Sequence, residues 1–227
     1  MEFLSSFVQQ VVSAIYEATR MIGEPSYGLA IIIMTILIKL LLYPLTKRQI
    51  ASTKAMSRIQ PRMKELQMRY RDDKMKLNEE LSKLYKKEGV NPLAGCLPLV
   101  IQMPIMIGIF YGIRDFNYEG PSSFLWMQSI GQPDPYYILP ILSALTTYIQ
   151  SRQSMPPSDN PTGKVMLYFM PLFIGYISLK FPAGLVLYWV VMNLMQIGQQ
   201  FFMDRADKKA QKSRQCQAAR RHGYESH

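Results

Sequence analysis

At 227 residues the chain has room for one or two domains, and no shift in composition marks a border between independent cores. A net charge of +10 invites a nucleic-acid reading, but the charge is gathered beside apolar runs. Thirteen basic residues lie between positions 47 and 87 and seven more between 205 and 221, a distribution that fits a cytoplasmic membrane surface better, and no specific nucleic-acid sequence is expected as a partner.

Cys96 and Cys216 have neither metal-site spacing nor a disulfide framework. Both fall on the side assigned below to the cytoplasm, where free thiols are expected. Residues 1–23 lack the basic start and compact apolar core of a cleavable signal, so either the first span inserts itself or a leader preceded this numbering.

Residues 1–26 open the chain with Leu4, Phe7, Val8, Val11, Val12, Ile15 and Ile22 at helical spacing, with Gln, Ser, Glu and Arg between them. The pattern predicts an amphipathic helix at the membrane interface, and it fits a short helix packed on a bundle equally well. Gly23, Glu24 and Pro25 break it. Residues 27–46 form the first predicted span, about 30 Å of helix, with Pro44 tolerated at its exit. Further spans are read at 93–113 (interrupted by Pro98 and Pro104), 136–153, 165–180 and 184–203. The last two are joined through a tight turn at Phe181, Pro182, Ala183 and Gly184.

Between the first two spans, residues 47–92 repeat Met56, Ile59, Met63 and Leu66 at steps of three and four, and Leu77, Leu81 and Leu84 resume the pattern after a break at 71–74. Glu79 with Lys83 supplies opposite charges one turn apart, and Gly89 is placed to stop a helix. This predicts two antiparallel helices outside the membrane, either as a solvated pair or with a partner. Loop charge sets the orientation. The 47–91 loop carries thirteen basic residues, and the 204–227 tail carries seven, whereas the 115–134 loop has three acidic residues and no basic one. The hairpin and tail are therefore read as cytoplasmic, and five spans then put the N-terminus outside. The expected fold is all-α and integral to the membrane, with a 27–203 core.

One charge interrupts the first span. Lys39 could snorkel to the headgroups, but Thr35, Tyr43 and Thr46 fall on the same face, with Gly28 on that side. Trp189, Asn193, Gln196 and Gln200 form a second stripe, and Ser143, Thr147, Gln150 and Ser154, with Thr146 beside them, form a third. The second span adds Gln102. Any one Ser or Thr reads as interhelical glue, but three seams and a cation predict a hydrated cavity. The spans hold no Asp, Glu or His, since His222 and His227 are in the tail. They also lack a nucleophile–base set, a metal spacing and a Gly-rich phosphate loop. No enzyme, metal or cofactor is expected. A cavity with one cation suits transient attraction of acidic peptide segments, or of a small anion.

The run from Lys39 through Tyr43, Pro44 and Lys47, the stretch 91–104 around Gly95 and Gln102, and the stretch 181–189 with Asn193 closely resemble the YidC/Oxa family of membrane protein insertases. The resemblance runs from Tyr27 to Met203 in the family's five-span order. It implies a groove open to cytoplasm and lipid and closed outside, in a minimal form like those of Gram-positive bacteria. It implies nascent single-span or small multi-span membrane proteins as clients at a bacterial plasma membrane, with the ribosome and the Sec translocon as candidate partners. It assigns the groove charge, usually an arginine, to Lys39. A small anion transporter or channel and a passive assembly scaffold remain the rival readings.

Overall fold

The computed structural model describes residues 2–23, 25–91, 97–116, 122–154 and 165–225, and within these the side chains of 2, 97–99, 101, 166 and 210–225 are left aside. Glu24 of the first predicted break, the start of the second predicted span with Cys96, Glu119 of the acidic loop, and His227 lie outside the described residues. The same holds for the side chains of Pro98, Cys216 and His222.

The described chain is helical: α1 (Glu2–Met21), α2 (Tyr27–Leu41), α3 (Tyr43–Arg69), α4 (Lys74–Glu88), α5 (Leu97–Arg114), α6 (Ile138–Ser154), a π-helical turn (Val165–Phe169) leading into α7 (Met170–Ser178), and α8 (Ala183–Glu225). Amphipathic α1 packs on α5 and α2. It buries Val8, Val12, Tyr16 and Thr19 while leaving Phe3 and Phe7 exposed. Tyr16 stacks on Tyr27 with ring centroids 3.9 Å apart.

Ser26 starts α2 by accepting a hydrogen bond from the Leu29 N–H at 3.3 Å. The first predicted span runs to residue 46, but α2 ends at Leu41 and the chain turns by 67° into α3. Pro44, in the first turn of α3, has no N–H to extend the α2 ladder, and its ring blocks the carbonyl one turn back. The proline therefore redirects the helix.

Helices α3 and α4 form an antiparallel hairpin. Asp73 caps α4 by accepting from the Lys76 N–H at 3.0 Å. Gly89 ends it at φ +63°, a left-handed conformation that costs a glycine nothing. Arg62 pairs with Glu88, and the Tyr85 hydroxyl donates to Met63 Sδ, which sets the register. Ile59 is buried along the seam, and Met56, Met63, Leu66, Leu77, Leu81 and Leu84 are half-buried.

Two apolar clusters meet at α8. One joins α1, α2 and α5 to Leu185 and Tyr188, and the other joins α6 to Ala183, Val186 and Leu187. The 122–137 loop folds over the end of the bundle from which α8 starts. Its Ile130 and Gln132 carbonyls accept from the Gly184 and Ala183 N–H groups at 2.9 and 2.8 Å, satisfying donors that a helix start otherwise leaves unpaired. Ile130 is fully buried there. Only a glycine fits beneath it, because a Cβ on Gly184 would collide with Ile130 and come within 3.0 Å of Ile31 Cδ1. Gly184→Val is expected to lower stability by about 1–3 kcal/mol, read as a lower thermal midpoint in detergent. An unchanged midpoint would mean that the loop yields freely.

No single described helix is long and apolar enough to cross a membrane by itself, although the bent pair α2 and α3 together could. In α8, Asn193, Gln196, Gln199 and Gln200 interrupt an otherwise apolar run. Of these, Asn193, Gln196 and Gln200 build the site.

Candidate functional site

Helix α8 lies against both α2 and α6, so the polar residues predicted on separate faces converge on it. On the α2 side the Lys39 ammonium donates to Gln196 Oε1 at 2.7 Å. Lys39 is only 9% exposed, and no carboxylate pairs with it among the described residues. An ammonium has three protons to donate, so one bond to an amide leaves it able to receive an anionic acceptor. A buried cation satisfied only by a neutral amide is electrostatically costly, and an incoming carboxylate offsets that cost.

On the α6 side the bonds run more densely. Asn193 Nδ2 donates to Thr147 Oγ1 at 2.9 Å and to Thr146 Oγ1 at 3.2 Å, and Trp189 Nε1 donates to Thr147 Oγ1 at 3.0 Å. One helical turn beyond Gln196, the Gln200 amide donates to the Gln153 carbonyl at 2.6 Å and accepts from Ser154 at 3.2 Å. These direct bonds stitch α6 to α8 as interhelical glue. The seam expected to line a hydrated cavity is thus divided. Its α6 edge is closed by protein–protein bonds, and its α2 edge carries the lone cation. Gln150 is half-buried between Thr146 and Ser154 on the α6 edge.

Several predicted site residues stand elsewhere. Tyr43 lies past the bend and is 47% exposed, so it does not continue the α2 face that carries Thr35 and Lys39. Thr35 is fully buried and returns its hydroxyl to the Ile31 carbonyl at 2.6 Å. Gly28 makes room for the Phe124 ring of the end loop. Ser143 shares a 3.0 Å bond with Ser178 of α7, away from α8. Gln102 donates to the Tyr188 hydroxyl at 2.6 Å. Tyr188, fully buried, carries no periodicity that marks it as a site residue. The signal was available: an isolated amide in an apolar helix requires a polar partner on a neighbouring one.

At the end of the bundle where α8 starts, the loop is held by Asp134, which is 3% exposed. Its carboxylate accepts from Trp126 Nε1 at 3.0 Å and from the backbone N–H groups of Tyr136 and Leu139 at 3.0 and 2.7 Å. No group of three or more His, Cys, Asp or Glu able to hold a metal occurs among the described residues.

Comparison with known proteins supplies a family for this arrangement. The sequence profile of the 60Kd inner membrane protein family matches residues 18–212. The chain is 42% identical over 213 residues to membrane protein insertase MisCA of Bacillus subtilis, covering 91% of this chain and 81% of that protein. It is 41% identical over 214 residues to membrane protein insertase YidC of Haemophilus influenzae, covering 93% of this chain and 37% of that one, and so spans well under half of that relative's length. An active YidC insertase crystal structure with its first transmembrane domain resolved superposes with a TM-score of 0.66 at 27% identity, covering 85% of this chain and 45% of that chain. The matched stretch contains Lys39, the α6 and α8 seams and the end loop, and the chain therefore belongs to the YidC/Oxa family of bacterial membrane proteins, described as 60Kd inner membrane proteins.

Proposed function

We propose that this chain is a membrane protein insertase, which passes short hydrophilic segments of nascent membrane proteins along the Lys39 edge of the seam and releases their apolar spans into lipid. The observation that carries this reading is a buried ammonium, bonded to one amide and unpaired with any described carboxylate, in a family whose relatives bear the name insertase. In this reading an acidic N-terminal segment is drawn towards Lys39. The following apolar span then moves past α2 into the bilayer, and its own partitioning, assisted by the membrane potential, drives the step without nucleotide hydrolysis.

The membrane arrangement belongs to the same proposal. The core crosses the bilayer five times, with the N-terminus outside and the α3–α4 hairpin and basic tail in the cytoplasm. Two features support it. Leu37, Leu40, Leu41, Ile141, Leu145, Leu172, Leu194 and Phe202 are exposed on the outer faces of the helices, where water would be unfavourable and lipid is not. The basic loops flank one side of the predicted spans, and the acidic loop flanks the other. On this reading the Asp134 loop closes the outer end, and α1 lies at the outer interface while gripping α5. The residues of the polar seam account for helices too polar to qualify as spans alone.

The test is purified protein in liposomes with a single-span client bearing an acidic N-terminal tail. Protease-protected client without nucleotide or any second translocon is the expected result. Client crosslinks with no protection would instead make the protein an assembly scaffold. Anion flux with no crosslinks would make it a transporter.

A further inference from the structure

Helix α3 does not simply project from the bundle. Beyond the bend it approaches α5 and α6, and Thr46, Ile50 and Lys54 recur every four residues along one of its sides. Thr46 is 6% exposed and Ile50 5%, so this side is pressed onto the bundle. At its end, Lys54 Nζ lies 2.7 Å from Asp204 Oδ1 and 2.7 Å from Asp207 Oδ2 of α8. The two carboxylates are three residues apart on one face of α8 and close on a single ammonium. The Lys54 side chain is 22% exposed, whereas both partners of the Arg20–Glu17 bridge are more than half exposed. Burial opposes the charge on Lys54, but its bonds to Asp204 and Asp207 outweigh burial and raise its pKa. The bond from Lys54 in turn lowers that of Asp207.

Two polar ties therefore join the α2–α3 arm to α8, one on each side of the bend: Lys39–Gln196 and Lys54–Asp204/Asp207. Between them α8 advances about 12–16 Å, and α3 runs about 18 Å from Leu42 to Lys54. The stretch of α3 between these ties follows directly on the 67° turn from α2.

We propose that Lys54, Asp204 and Asp207 form a latch that holds α3 over the hairpin-side end of the Lys39 seam, so that client entry requires the latch to open. The proposal rests on the insertase reading and makes these three residues positioning residues for it. A tie between partly exposed charges is weak and screened by salt, which suits a contact that must open on each cycle. The apolar contacts of Ile50 alone would hold α3 in place without regard to ionic strength.

The test places a single cysteine beneath α3 (Ile50→Cys, with Thr46→Cys as a second reporter) in a Cys96→Ser, Cys216→Ser background, in proteoliposomes treated with a membrane-impermeant thiol reagent. Lys54→Glu, and separately Asp204→Asn with Asp207→Asn, should speed labelling about fivefold. Raising salt to about 0.5 M should speed labelling of the wild-type latch but not of the broken ones. Lys54→Arg should label at the parental rate, and Lys54→Glu combined with Asp204→Lys and Asp207→Lys should restore slow labelling. Equal rates in all variants, or a charge swap that fails to restore protection, would overturn the latch. Client insertion is scored separately in the parental vesicles. Its absence would refute the insertase reading whatever the labelling shows.

Discussion

Lys39→Glu should reduce insertion of a client with an acidic tail about 100-fold in reconstituted vesicles. Replacing an ammonium by a carboxylate turns attraction into repulsion for each entering negative group. At a separation of about 12 Å and an effective dielectric constant near 20, a pair of unit charges interacts by about 1.4 kcal/mol, so reversing its sign changes the energy by about 2.8 kcal/mol, which corresponds to roughly that factor in rate. Lys39→Arg keeps the charge and can still donate to Gln196, so its insertion should stay within about threefold of wild type. A matched client with a neutral tail should respond far less to Lys39→Glu. Wild-type insertion by the Lys39→Glu protein with the acidic client would remove the electrostatic role, even if the family activity stands.

The largest stability effect is expected at the opposite end of the bundle. Asp134→Ala removes the one carboxylate that accepts from Trp126 Nε1, Tyr136 N–H and Leu139 N–H. Three donors then lose their acceptor at a site that is 3% exposed, and α6 loses a negative charge beside its N-terminus. The combined cost is about 3 kcal/mol, seen as a lower thermal midpoint in detergent and faster amide exchange in the 122–137 loop. Asp134→Asn retains one acceptor oxygen and should lose about half as much. If Asp134→Ala melted with the wild type, the loop would have to be held by Met127 and Ile130 alone.

Much of the helical layout was legible because its signals are local. Gly89 and the break before Lys74 mark the ends of the hairpin helices through φ preference and capping, and neither needs a distant partner. Pro44 is equally visible, but the sequence does not show the size of the bend it makes. A proline at the first turn of a helix either permits a smooth exit or redirects the chain, and packing on the far side decides which. The 67° turn moved Tyr43 off the Lys39 face. Helix α1 was undecided for a similar reason. Its apolar stripe is wide enough to face both a bundle and an interface, and the structure seats Val8 and Val12 inward while leaving Phe3 and Phe7 out.

The sequence by itself determined which residues share a helical face, where charge gathers and that Lys39 stands alone in an apolar span, because periodicity and composition follow from the covalent chain. Only the tertiary structure decided which faces meet. Gln196 is 157 positions from Lys39, and Asp207 is 153 from Lys54, and nothing in their spacing pairs them. Ser143, indistinguishable from Thr147 by pattern, turns to Ser178 instead of α8. Helix periodicity fixes the angle of a side chain about its own axis. The rotation and separation of one helix against another depend on interlocking contacts such as Ile130 over Gly184, which exist only once the bundle has closed.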